Sequence, residues 1–288
     1  MRMLRGGLIQ MSLKADTSLD PERIRRAMVD AHVPLIEEAG RRGVQVLCMQ
    51  EVFNQPYFCC VKDPKWFAAA EAVPDGPTVT ALGVLAKRHS MVIVAPVYEL
   101  DPSGERYNTA AVIDADGRFL GKYRKMHVPD RPHGSPEQFY FRPGNLGFPV
   151  FETRYCRLGV YICFDRHFPE GWRALALEGA EYIVNPSATP EGTSRYAWTL
   201  EQPAAAVAND VFIGAINRVG TEAPWNLGRF YGSSYFVDPL GRIIATASED
   251  RDELLVADMD LDLAKQTRAK WQFPEHRRPD AYGRLLSG

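Results

Sequence analysis

Cysteine is scarce and odd in number: five (Cys48, Cys59, Cys60, Cys156, Cys163) in 288 residues, mostly inside apolar, strand-like runs. That excludes a disulfide framework and suits reduced thiols in a cytoplasmic protein. No apolar run is long enough to span a bilayer, and Met1-Arg-Met-Leu-Arg-Gly-Gly-Leu8 lacks the apolar centre of a signal peptide. No membrane partner is expected. Excess charge is also missing. The formal net charge is −2 with acids and bases interspersed, so no basic stripe points to nucleic acid. There is no P-loop and no strand-linked Gly-x-Gly-x-x-Gly to hold a phosphate or dinucleotide. The six histidines (His32, His89, His127, His133, His167, His276) form no His-x-x-x-His or Glu-x-x-His pair, so neither metal nor other cofactor is expected. With no composition break, Gly/Ser linker or fixed-period repeat, residues 1–288 read as one domain, of which 272–288 form a polar, arginine-bearing C-terminal arm.

What is present centres on Arg157-Leu-Gly-Val-Tyr-Ile-Cys163-Phe-Asp-Arg-His-Phe-Pro-Glu170. Leu158, Val160, Tyr161 and Ile162 read as a short buried strand that stops at a thiol. The polar elbow Asp165-Arg166-His167 follows, then Pro169 at the first turn of a helix running to about Gly179. Most cysteines are small buried hydrophobes. One held between a core strand and a helix N-terminus is placed as a nucleophile, where unpaired N–H groups can lower its pKa or bind an oxyanion.

Two other strand ends carry chemistry. Val44–Met49 runs into Gln50-Glu51, either an active-site carboxylate or a solvated strand end. Asn108–Ile113 and Arg118–Tyr123 flank Asp114-Ala-Asp-Gly117, a hairpin signal, and the second arm delivers Lys125 just before Val128-Pro129. The helix expected after Asp20-Pro21 has Pro34 as a point of kinking or division. Val52–Ala70 is an aromatic loop with the composition of a pocket wall or subunit contact. Asp130–Gly147 is a long loop carrying Glu137, of a length usually functional or mobile. Strands alternate with helices in places and pair as hairpins elsewhere. Two mixed sheets covered by outer helices, a four-layer αββα sandwich, fit both features.

Glu51, Lys125 and Cys163 together suit acyl transfer from a C–N bond: a thiolate attacks, a carboxylate moves the proton, and a cation stabilises the oxyanion. Gln50-Glu51-Val-Phe, Lys122-Tyr-Arg-Lys125-Met-His-Val-Pro129 and Val160-Tyr-Ile-Cys163-Phe-Asp-Arg resemble, in order, the three signature blocks of the nitrilase (carbon–nitrogen hydrolase) superfamily. The resemblance runs from Leu4 to about Trp271. It implies the αββα fold, homodimers or higher homo-oligomers built sandwich against sandwich, Cys163 as nucleophile, Glu51 as general base and Lys125 as oxyanion stabiliser. Glu137 matches the family's second glutamate, and the N–H of Phe164 would complete the oxyanion hole.

Within the superfamily, Cys163-Phe-Asp-Arg-His-Phe-Pro-Glu-Gly-Trp172, Asn185-Pro-Ser-Ala-Thr189, Ala215-Ile-Asn-Arg-Val-Gly220 and Phe230-Tyr-Gly-Ser-Ser-Tyr235 resemble the β-ureidopropionase branch. This implies hydrolysis of N-carbamoyl-β-alanine to β-alanine, carbon dioxide and ammonia. Arg166 would clamp the substrate carboxylate, with His167, Asn185, Arg218 and Tyr235 as further pocket residues; the alternative for Arg166 is an ion pair with Asp165 or Glu170. The block around Asp165-Arg166 also resembles N-carbamoyl-D-amino-acid amidohydrolases, where two adjacent arginines hold the carboxylate; here the second is His167. Carbamoylputrescine amidases and ω-amidase-type aliphatic amidases stay open. So do a metal-dependent ureidohydrolase, a hydrolase using His127 or His167 as base, and a non-catalytic relative.

Overall fold

Period-two alternation builds the first sheet. In β2 (Val46–Met49), Val46 and Cys48 pack into one core while Leu47 and Met49 pack into another; in β3 (Val92–Leu100), Val92 and Val94 face the first while Ile93, Ala95 and Val97 face the second. Such strands must be covered on both faces, and they are. The computed structural model describes residues 1–130 and 135–286. His133 and the last two residues of the arm lie outside them.

The chain enters through β1 (Met3–Gln10) and α1 (Pro21–Arg41), then β2, α2 (Pro77–His89) and β3. Asp20 caps α1 by accepting the Arg23 N–H at 3.0 Å. Pro34, expected as a point of kinking or division, does not divide α1, which runs through it. Pro34 is exposed while Met28, His32 and Ile36 line the buried face, so water can satisfy the carbonyl that the missing N–H releases. The expected hairpin follows as β4 (Arg106–Ile113) and β5 (Phe119–Arg124).

The second half opens with β6 (Val150–Glu152), β7 (Arg157–Val160), α3 (Pro169–Leu177), β8 (Tyr182–Pro186), α4 (Ser194–Asn209) and β9 (Phe212–Ile216). A small ladder, β10 (Val219–Gly220) with β11 (Phe230–Tyr231), precedes β12 (Tyr235–Val237) and β13 (Ile243–Thr246). The chain then returns through β14 (Glu253–Asp260) and α5 (Leu261–Trp271).

The sheet orders are β14-β1-β2-β3-β4-β5 and β13-β12-β9-β8-β7-β6. Each has three parallel central strands, β1-β2-β3 and β7-β8-β9, flanked by antiparallel ones. The first strand of the first sheet is sealed by the last strand of the chain, Met3 opposite Asp260 and Gln10 opposite Glu253. The inner faces pack on each other through Leu8, Val94 and Val112 on one side and Val160, Val184 and Phe236 on the other. Contact is close: a Cβ at Gly6 would lie 2.7 Å from the Phe236 ring. Helices α1 and α2 cover the outer face of the first sheet, and α3 and α4 that of the second. This is the αββα sandwich. Among the described residues no helix is long and apolar enough to cross a membrane.

Candidate active site

The exits of β2, β5 and β7 converge. Glu51 leaves β2 fully buried, and the chain turns at Val52, whose φ of +46° is left-handed and unusual for a β-branched residue. Its Oε1 accepts from Asn108 Nδ2 at 2.7 Å and from Lys125 Nζ at 2.9 Å. Its Oε2 is buried with no hydrogen-bond partner. Lys125 follows β5 directly and also reaches Glu137 Oε2 at 2.7 Å, while Glu137 Oε1 accepts the Tyr57 hydroxyl at 2.7 Å. Burial disfavours the ammonium, but the facing carboxylates of Glu137 and Glu51 hold Lys125 protonated well above its ordinary range. The Glu137 carboxyl is pushed up by its own burial, although Lys125 pulls the other way.

Cys163 sits at a left-handed turn of its own, φ +48°, at the head of a short 3-10 turn over Cys163–His167. Burial first, then the Glu51 charge, pushes its thiol up to about 11, against the pull of Lys125 and Arg166. At such a value the thiol, not the thiolate, is the form favoured near neutrality. Asp165 anchors the elbow: fully buried, it accepts the Ile162 N–H at 3.0 Å, the Tyr123 hydroxyl at 2.7 Å and the His127 N–H at 2.9 Å. The strand that delivers Lys125 and the turn that bears Cys163 are thus tied through one carboxylate.

Both histidines weighed as bases are engaged elsewhere. His127 Nδ1 lies 2.7 Å from Asp165 and its ring stacks on Phe168. His167 Nδ1 lies 2.7 Å from Glu201.

Above the thiol opens a cleft of about 430 Å³ lined by Tyr57, Glu137, Cys163, Phe164, Arg166 and His167, and on its far side by the start of α4. Arg166 Nη1 donates to the Cys163 carbonyl at 3.1 Å and lies 3.8 Å from Sγ. Its ion-pair partner is Glu201 on α4, with Nε 3.4 Å from the carboxylate. Neither Asp165 nor Glu170 takes that place, because Asp165 is filled by other donors and Glu170 points to solvent.

A family model of carbon-nitrogen hydrolases matches residues 8–269. The chain belongs to that family. This carbon-nitrogen hydrolase is 40% identical to a beta-ureidopropionase of Arabidopsis thaliana over 99% of its own length and 73% of the relative's. It is 39% identical to an N-carbamoylputrescine amidase of Solanum lycopersicum, over 88% of this chain and 87% of that one. A crystal structure of a carbon-nitrogen hydrolase from Helicobacter pylori G27 superimposes with a TM-score of 0.90 at 32% identity, covering 99% of both chains. The order Glu51, Lys125, Cys163 along the hydrolase chain is also the order of the three converging strand exits.

Three expected pocket residues are not brought to the cleft of this hydrolase. Asn185 is fully buried behind the nucleophile strand, donating to the Tyr161 carbonyl and accepting from Ser187 Oγ at 3.0 Å. The Tyr235 hydroxyl donates to the Trp198 carbonyl, and Arg218 spends both Nη1 and Nη2 on protein groups. All three lie in the blocks that resemble the β-ureidopropionase branch, but their polar ends turn inward to satisfy backbone carbonyls. Conversely, Tyr57, Asn108 and Glu201 contact site groups and were not singled out from sequence. Tyr57 lies in the aromatic loop read as a pocket wall. Asn108, a lone amide opening an apolar strand, was the legible signal for a partner to Glu51; nothing local marks Glu201.

Proposed function

We propose that this hydrolase cleaves the ureido group of an N-carbamoyl amino acid, N-carbamoyl-β-alanine first among them. Cys163 Sγ attacks the carbamoyl carbon as Glu51 Oε2, the unpartnered buried oxygen, takes the thiol proton. Lys125 stabilises the oxyanion; a donor of this kind contributes about 10²–10³ in rate. The C–N bond to the terminal nitrogen breaks, Glu51 returns the proton, and ammonia leaves a thioester to the substituted carbamoyl carbon. Water, deprotonated by Glu51, attacks that carbon. The C–S bond breaks, the thiol is restored, and the released carbamate decays to carbon dioxide and the amino acid. Glu137, accepting from Lys125 at 2.7 Å, orients the cation.

The observation that carries the substrate class is the Arg166 guanidinium in the cleft wall, 3.8 Å from the nucleophile. Nε faces Glu201 and Nη1 donates to the Cys163 carbonyl, while no hydrogen bond of Nη2 to a protein group is found among the described residues, which leaves it as a donor for a carboxylate. One observation favours the rival, a cationic ureido substrate: Glu201 already faces both Arg166 and His167. Assembly as a homo-oligomer, sandwich against sandwich, belongs to the same proposal and is read by sedimentation.

The deciding assay is ammonia release from N-carbamoyl-β-alanine, N-carbamoyl-D- and L-amino acids, N-carbamoylputrescine and ω-amides, with Cys163→Ala as control. Preference for N-carbamoyl-β-alanine, abolished by Cys163→Ala, is expected. In Arg166→Ala, KM for the acids should rise at least about tenfold more than for neutral amides. Equal losses, or preference for N-carbamoylputrescine, would overturn the carboxylate assignment.

A further inference from the structure

Arg218 lies two residues past β9 and is one of the largest fully buried side chains of the protein. A guanidinium without solvent needs a counter-ion and acceptors, which Nη1 and Nη2 find here while Nε has no hydrogen-bond partner. The counter-ion is Glu222, with Nη1 to Oε1 at 2.7 Å. The acceptors are unusual. One nitrogen, Nη2, donates to the carbonyls of Glu51 at 2.9 Å, Val52 at 2.7 Å and Gln55 at 2.8 Å. The loop leaving β2 is wrapped around a single cation, with the left-handed turn at Val52 folding it inward. Glu222 spends its other oxygen on the same loop, accepting the Tyr57 N–H at 2.5 Å.

These contacts close a ring with the site. From Glu51 the side chain leads to Lys125, from Lys125 to Glu137, and from Glu137 to the Tyr57 hydroxyl. From Tyr57 the backbone N–H leads to Glu222, from Glu222 to Arg218, and from Arg218 back to the Glu51 carbonyl. Each member is less than about a twentieth exposed. The front of the ring carries the proton and the oxyanion; the back touches neither cleft nor substrate.

We infer that the Arg218–Glu222 ion pair is the positioning element of the catalytic loop, setting at once where the Glu51 base stands and where Tyr57 holds Glu137. The inference rests on Glu51 being the base. Arg218 fixes the backbone of Glu51, and so the reach of Oε2 toward Cys163. Glu222 fixes the backbone of Tyr57, and so the hydroxyl that orients Glu137 under Lys125. A displacement of about 1 Å in such groups costs on the order of 10²-fold in rate.

The test compares Arg218→Lys, Arg218→Met and Glu222→Gln with wild type and Glu51→Gln. Ammonia release is normalised to folded protein by circular dichroism and to reactive Cys163 by thiol titration. Glu222→Gln keeps size and an acceptor, so it reads the ring even where Arg218→Met does not fold. We expect kcat to fall at least about tenfold in Glu222→Gln and further in Arg218→Met, with KM within about threefold and partial recovery in Arg218→Lys. Unchanged kcat per folded molecule in Glu222→Gln and Arg218→Lys, even with a lower Tm, would overturn the inference. A rise in KM at constant kcat would do so too, returning Arg218 to substrate binding. If Glu51→Gln itself stays active, the base assignment fails instead, which the same panel separates.

Discussion

Replacing Lys125 by methionine tests the electrostatics and the chemistry of the site together. The ammonium is fully buried between two buried carboxylates, 2.9 Å from Glu51 and 2.7 Å from Glu137. Removing one member of a buried ionic group leaves an uncompensated charge and costs about 3–5 kcal/mol. At about 2–3 °C per kcal/mol for a chain of this size, Tm should fall by roughly 6–15 °C at pH 8. The deficit should depend on pH. Burial already raises the Glu137 carboxyl, and Lys125 is the main force holding it down. Without Lys125 the folded state keeps a proton on Glu137 that the unfolded chain releases. Stability of the variant then drops as pH rises from the ordinary carboxylate range through the raised folded value, by up to about 1.4 kcal/mol per pH unit. Differential scanning at pH 5 to 8 reads this: a small deficit at pH 5 and a large one at pH 8. Lys125→Met/Glu137→Gln should recover much of the stability by removing the stranded carboxylate, but none of the rate, which should stay about 10²–10³ below wild type. A deficit that is the same at every pH, or activity that returns with stability in the double variant, would refute the reasoning.

The raised Cys163 thiol has its own signature. With its pKa pushed up to about 11, iodoacetamide alkylation of Cys163 should rise about tenfold per pH unit between pH 7 and 10; a plateau near neutrality would show a preformed thiolate instead. Arg166 pulls that thiol down, so Arg166→Ala should alkylate more slowly than wild type at pH 9. Glu201→Gln removes the charge facing Arg166 and His167. It should lower KM for N-carbamoyl acids about three- to tenfold, the equivalent of about 1 kcal/mol, and unchanged KM would argue that the carboxylate binds elsewhere.

The fold was legible wherever local chemistry and tertiary demand agree. The hairpin around Asp114-Gly117, the proline-started α3 and the helix α5 at Leu261–Trp271 stand where turn residues and periodicity put them. Pro34 shows the limit: a helix can run through a proline on its exposed face, where water can take the freed carbonyl, and exposure is invisible in a single chain. The trio Glu51, Lys125 and Cys163 could be read because each ends a strand, and strand ends are marked by a change from apolar to polar. Partners reached across the fold leave no such mark. Glu201 meets Arg166 and His167 from across the fold, and Arg218 was read as a pocket residue from the block at 215–220 that resembles the β-ureidopropionase branch. Its burial depends on three carbonyls presented by a loop some 160 residues earlier in the chain.

The sealing of β1 by β14 bears on how the protein is made. Synthesis delivers Glu51 and Lys125, then Cys163, then Arg218 and Glu222, well before Glu253–Asp260 emerges. A nascent chain stopped short of that strand holds every group of the proposed chemistry, yet it presents β1 with its Met3–Gln10 hydrogen-bonding edge open. An unpaired edge of that length invites pairing with another chain. The strand Glu253–Asp260 therefore adds no chemistry of its own; it closes a hydrogen-bonding edge that would otherwise be open to another chain.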